Sequence, residues 1–198
     1  MFAFNGNGFL DDMHKAMAYV ETAKPVIRKL LKGGELLAVE GSDNDVCLML
    51  DTTCGTDYFQ VYKERGLVWG IASRMQEIDT ARFRKPFNSF TVRKSRESGV
   101  KTEYEKRQLA IKSGGLYPYL TMQGYVDKQT GELMSIGIAR TTDIMDYVER
   151  GYANNDIKHT GSNQRGQAEF YTVYWSKYIA AGYEAKIWEA QPHATQTQ

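Results

Sequence analysis

The run Ser73-Arg74-Met75-Gln76 closes an apolar stretch that begins at Leu67. A strand that buries its flanks rarely ends on so polar a sequence, and side chains two residues apart in a strand share one face. Arg74 and Gln76 are therefore expected to project together, the arginine offering forked donors that match phosphate oxygens. Gln123, on a later strand-like stretch, is expected to face the same cleft. Downstream, Arg82, Arg84, Lys85, Arg93, Lys94, Arg96 and Lys101 interleave with Phe83, Phe87, Phe90 and Tyr104. Cations neutralise phosphates and rings stack on exposed bases, so this segment predicts a nucleic-acid surface.

The charge is unevenly spread. From Gly33 to Asp57 there are six acids and no Lys or Arg, whereas Arg82 to Arg107 holds nine basic residues against three acids. An acidic focus beside a basic face is the pattern expected where a cation and a polyanion meet one protein. The formal net charge of +1 conceals this division.

The elements that would position these groups follow from periodicity. Phe9, Leu10, Met13, Met17, Val20, Ile27, Leu30 and Leu31 fall at helical spacing, with Pro25 predicting a kink or a fresh start and Gly33-Gly34 a stop. Glu35–Glu40, Val46–Asp51, Thr56–Tyr62 and Leu67–Arg74 read as four strands of an antiparallel meander. Ser89–Arg93 alternates like an exposed strand. Thr102 caps a helix running to Ser113, with Glu105 three residues on and Gly114-Gly115 as its end. Leu116–Val126 and Leu133–Ala139 read as a hairpin around Asp127–Gly131, followed by a short helix from Thr141. Residues 152–167 read as a lid or surface loop, Tyr171, Tyr174, Trp175 and Tyr178 as one helical face, and Tyr183–Trp188 as a last strand. The expected class is α+β or α/β, a central mixed sheet of five to six strands with flanking helices. Residues 1–190 read as a single domain and 191–198 as a disordered tail.

At 198 residues, 42% hydrophobic and 25% charged, the chain can bury a continuous core. Its two cysteines, Cys47 and Cys54, and three scattered histidines do not have zinc-site spacing. The cysteines read as buried or half-buried thiols of a reducing compartment. The start MFAFNGNGFLDDM has no basic, apolar leader, and no run reaches the ~18 apolar residues of a membrane span. A cytoplasmic protein without a membrane partner is the expectation.

The order helix, meander, helix, strand, with Gly55-Thr56-Asp57-Tyr58 followed by Gly70-Ile71-Ala72-Ser73-Arg74-Met75-Gln76, resembles the PD-(D/E)XK nuclease-like superfamily. In that family an acid on the second core strand, an acid-x-lysine on the third and often a glutamate on the first helix hold a divalent cation. By this resemblance Asp57 matches the first acid, Arg74 stands at the lysine and Ala72 at the second acid; a register slipped by two puts Gln76 at the lysine. The resemblance implies Asp57, Arg74 and Gln76 as the catalytic group and Mg²⁺ or Mn²⁺ as cofactor, held by Asp57 with Asp51 and Glu21, or with Glu103 and Glu105. A bound metal would activate water for attack on a phosphodiester. With one carboxylate a hard cation binds weakly, and the same frame then binds nucleic acid without cutting it.

The function expected is nucleic-acid binding on a nuclease-like core, with metal-dependent hydrolysis of DNA or RNA as its active form. The alternative is a non-catalytic phage or mobile-element inhibitor or adaptor that binds a host nucleic-acid machine. Nucleic acid, a host protein and a second copy of the chain in a homodimer are the partners these readings imply. Arg74, the strand Ser89-Phe90-Thr91 and Glu103-Tyr104-Glu105 also resemble the arginine, serine motif and glutamate-x-glutamate of ADP-ribosyltransferases, in closer spacing than that family's.

Overall fold

The computed structural model describes residues 6–39, 44–80, 87–96, 101–159 and 167–191. Helix α1 (Gly6–Leu30) buries Val20, Ala23 and Ile27 at helical spacing, with Leu31 just beyond its end. It remains one element across Pro25, where a kink or restart is expected; Pro25 is exposed while Ala23 and Ile27, on either side, are fully packed. That shared buried stripe holds both halves to one axis even though the proline removes a backbone donor.

A six-stranded mixed sheet lies against this helix in the order β1-β2-β3-β5-β6-β9. Strands β1 (Glu35–Ala38), β2 (Tyr58–Tyr62) and β3 (Leu67–Ile78) form the antiparallel meander. Strand β5 (Leu120–Asp127) is parallel to β3, with Arg74 opposite Gln123, and it turns back into β6 (Leu133–Arg140). The turn is fixed by Asp127, whose Oδ1 accepts the N–H groups of Gln129 and Thr130, each at 2.8 Å. Strand β9 (Ala185–Glu189) completes the edge.

A parallel pair needs a long crossover. Here the crossover carries β4 (Ser89–Arg96) and α3 (Glu103–Ser113). Strand β4 leaves the main sheet and pairs instead with β8 (Gln167–Tyr174), which pairs with β7 (Asn154–His159). The small sheet and helices α4 (Thr141–Glu149) and α5 (Trp175–Ala180) cover the face of the main sheet opposite α1. Alternation along the strands supplies both cores. Ile71, Met75, Met122 and Ile136 pack with α1, while Ile78, Tyr125 and Ala139 meet Phe90, Val92, Val173 and Trp175.

Several segments differ from expectation, and one of them is Ser89–Arg93, expected as an exposed strand but buried from Ser89 to Val92 between the two sheets. Val46–Asp51 is not a strand: α2 (Asp45–Met49) begins on Asn44, whose Oδ1 accepts the Val46 N–H at 2.9 Å, and passes into a π-helical turn, Leu50–Cys54. Gly55, at φ 67, closes that turn, a conformation that favours glycine. The meander therefore has three strands. The predicted aromatic helix is divided, with Tyr171 and Tyr174 on β8 and only Trp175 and Tyr178 on α5. Within 152–167, residues 154–159 form β7, while all of the expected tail 191–198 but Gln191 lies outside the described residues. Both cysteines are free, Cys54 buried and Cys47 half-buried.

Candidate functional site

A cleft of about 290 Å³ lies between the main sheet, strand β4 of the small sheet and helix α3. Its floor is the crossover pair β3–β5, with Ala72, Ser73 and Arg74 beside Thr121, Met122 and Gln123. The π-helical turn brings in Asp51, Cys54 and Gly55, and Asp57 enters just before β2. Strand β4 contributes Thr91 and Arg93, and α3 contributes Glu103, Lys106 and Arg107. Asp57 and Arg74, paired by sequence reasoning, thus share one cavity.

Glu103 is the hub of its charges. Oε2 accepts from Arg74 Nη2 at 2.9 Å and from the Arg93 backbone N–H at 3.3 Å, while Oε1 meets Arg107 Nη2 at 2.7 Å. Burial pushes this carboxyl up, but the guanidiniums of Arg107 and Arg74, the Arg93 N–H and the Arg93 charge push it down further, and the balance lies below the usual carboxylate range. It is an anion held by two guanidiniums and a strand amide. Arg74 also donates through Nη1 to Thr91, at 3.1 Å to Oγ1 and 3.3 Å to the carbonyl. The guanidiniums of Arg74 and Arg93 each stand 5.6 Å from the Phe170 ring, which adds a cation–π contact to both.

Helix α3 holds Glu103 in place because its first turn is closed by a complete capping box. Thr102 Oγ1 accepts the Glu105 N–H at 3.3 Å, and Glu105 Oε2 accepts the Thr102 N–H at 2.7 Å. One turn on, Arg107 falls on the same face as Glu103 and is 5% exposed. Lys106 donates to the Thr52 carbonyl at 2.7 Å, tying α3 to the π-helical turn.

The remaining acids are placed differently. Asp57 Oδ2 accepts the Ser73 N–H at 2.5 Å, which fixes its carboxylate to strand β3. Burial pushes the Asp51 carboxyl up, partly offset by the charge of Lys106. Glu21 is exposed on α1, paired with Lys24 at 2.6 Å, and is not among the residues lining the cleft. Helix α1 packs on the Ile71–Met75 face of β3, while Arg74 projects from the other. Glu105, engaged in the capping box, and Glu103 form the first turn of α3, not a strand. Among the described residues no group of three His, Cys, Asp or Glu could hold a metal ion. In the cleft three acids, Asp51, Asp57 and Glu103, are set among four cations, a donor set better suited to an anion than to a divalent cation.

Gln76 lies beside the cleft, not in it, on a surface shared with Lys15, Tyr19 and Phe87. Its amide oxygen accepts from Gln123 Nε2 at 3.0 Å. Gln123 is itself buried and fully engaged. It accepts from the Thr91 N–H at 2.8 Å and the Thr91 hydroxyl at 3.0 Å, and donates to Tyr125 Oη at 3.0 Å. It acts as a strut between the sheets instead of a group facing a ligand.

Of the predicted basic surface, Arg93 lines the cleft. Lys94 lies outside it, 3.1 Å from Glu169 and 5.4 Å from the Tyr171 ring centre, and Lys101 is exposed just before α3. Arg82, Arg84, Lys85 and the side chain of Arg96 lie outside the described residues. Sequence reasoning did not single out Arg107 or Lys106; the Glu103–Arg107 spacing of four on a capped helix is the signal that could have found the first.

No protein-family model, curated protein or solved structure matches this chain. Among the described residues no helix is long and apolar enough to cross a membrane.

Proposed function

We propose that this protein binds nucleic acid through its cationic cleft, on a nuclease-like core that holds the phosphate chain without cutting it. One observation carries the reading: the guanidiniums of Arg74 and Arg107 share the single carboxylate of Glu103, which also accepts the Arg93 N–H, and with Arg93 and Lys106 in the same lining the cleft's four cations outnumber its three acids. The architecture is in keeping with the family resemblance, since α1, the meander β1–β3 and the crossover through α3 to a parallel β5 follow that superfamily's order. Arginine forks suit phosphate oxygens, and cations fixed by a hub carboxylate need little reorganisation to meet them. The acids argue for holding over hydrolysis, because Asp57 is bonded to the Ser73 amide and Glu103 is enclosed by arginines.

Fluorescence anisotropy with labelled single strands and duplexes of DNA and RNA, across a salt series, tests this. Binding should weaken steeply as salt rises, because phosphate contacts release counterions. Salt-insensitive binding, or none, overturns the reading. Asp51→Asn separates holding from cutting. Removing a negative charge from the cleft should tighten binding by roughly 1 kcal/mol, about fivefold. If instead plasmid is nicked with Mn²⁺, and Asp51→Asn or Asp57→Ala abolishes the nicking, the protein is a nuclease.

A further inference from the structure

Arg107 carries a feature that the ion-pair network leaves unexplained. Its Nη2 is bonded to Glu103, yet its Nη1 is buried and meets no acceptor among the described residues. Buried polar groups in native proteins are nearly always hydrogen-bonded, and a charged donor is the most costly to leave unmet. Arg107 lines the cleft, where Arg74, Arg93 and Lys106 join it against Asp51, Asp57 and Glu103. Glu103 is already shared between two guanidiniums, and Asp57 is occupied by a backbone amide. The cleft thus holds more positive charge than its own acids can balance.

Its shape and lining narrow the ligand. A volume of about 290 Å³ is at the small end for ligand pockets, enough for a phosphoryl group and part of what carries it. A duplex, whose major groove alone is about 12 Å wide, cannot enter. No aromatic ring is among the described residues lining the cleft, so nothing there stacks on a base. An anion defined by its oxygens, not by its base, is what remains.

The geometry points to a phosphate-monoester subsite in this cleft, with Arg107 Nη1 donating to a terminal phosphoryl oxygen between the flanking guanidiniums of Arg74 and Arg93. A monoester carries about −1.5 to −2 charge at pH 7 and three strong acceptor oxygens, against a single charge for an internal diester, so the cation excess favours the end of a strand over its middle. The subsite rests on the nucleic-acid reading only for the source of its phosphate, a strand end or a free mononucleotide.

The test compares short single strands bearing a terminal phosphate with the same strands ending in hydroxyl, alongside adenosine monophosphate and inorganic phosphate alone, by calorimetry on the full chain. Wild type should prefer the phosphorylated strand by roughly 10- to 100-fold, the range of a charge-assisted bond. Inorganic phosphate should compete that preference away. Arg107→Lys, which keeps a cation beside Glu103 but removes the fork, should narrow the preference to about twofold. Equal affinity for the two strands, or a preference that survives Arg107→Lys, overturns the subsite even if both strands bind. A mononucleotide bound as tightly as the strand, with hydroxyl-ended strands unbound, supports the subsite and overturns the nucleic-acid reading. Should Arg107→Lys not fold, the wild-type Arg107 Nε–H resonance still decides: phosphate should shift it, and an unmoved signal overturns the assignment.

Discussion

Glu103 shows how one residue can serve stability and site together. Its carboxylate is the acceptor for two guanidiniums and a strand amide, so its folded pKa lies below its ordinary value of 4.5. A depressed carboxyl contributes stability that is complete above its unfolded pKa and is lost as pH falls through the folded one. Thermal unfolding from pH 7 to pH 3 should therefore lose stability below about pH 4.5, and Glu103→Gln should remove part of that slope. At pH 7 the substitution should cost about 2–3 kcal/mol, as expected for charge-assisted bonds in a half-buried position. A variant as stable as wild type at neutral pH, with an unchanged acid slope, would show that Glu103 does not hold the arginines. Sequence alone exposed the polar pair Arg74 and Gln76 but could not distinguish their fates. Arg74 meets the cleft, whereas Gln76 is taken up by Gln123, and that division depends on a crossing strand far along the chain.

At the scale of elements, local signals were legible wherever the chain satisfies its own backbone. The Thr102–Glu105 box, the Asp127 turn and the periodic stripe of α1 are complete within a few residues, and each stands where its pattern put it. The errors fall where tertiary context decides. Val46–Asp51 is apolar enough for a strand, yet Asn44 caps it and Gly55 closes it into a helical turn over the cleft. Tyr171–Tyr178 has helical spacing, but pairing with β4 draws its first half into a sheet. The capping box also sets the position of the hub, because Glu103 is the first residue of α3 and Thr102 Oγ1 reaches the Lys94 carbonyl of β4 at 3.2 Å. Thr102→Ala should cost about 1–2 kcal/mol in urea unfolding and weaken polyanion binding, while Thr102→Ser should restore most of both. An alanine variant that binds as wild type would separate the helix start from the cleft.

Across the whole molecule, the cleft exists because the crossover strand β4 abandons the main sheet and joins β8, so that arginines from β3, β4 and α3 meet across a gap between sheets. What spans that gap is polar: Gln123 bonds Thr91 of β4, Gln76 of β3 and Tyr125 of its own strand, and Tyr125 Oη donates to the Ser89 carbonyl at 3.0 Å. Burial pushes the Tyr125 hydroxyl up to about 12, partly offset by its bond to Ser89 and by Arg74, so it stays protonated and keeps donating throughout the working pH range. Such a network fixes how the sheets sit in a way that apolar packing cannot, since each partner has one direction in which it is satisfied. Gln123→Leu preserves volume but takes from the Thr91 N–H and the Gln76 amide oxygen the partner each has in Gln123. It should cost about 2–4 kcal/mol in denaturant unfolding. Because Thr91 also holds Arg74, the same substitution should reduce binding of a phosphorylated strand, although residue 123 itself touches no ligand. A stability change under about 0.5 kcal/mol, within the range of an ordinary surface substitution, would mean that the two sheets are aligned by their apolar faces alone.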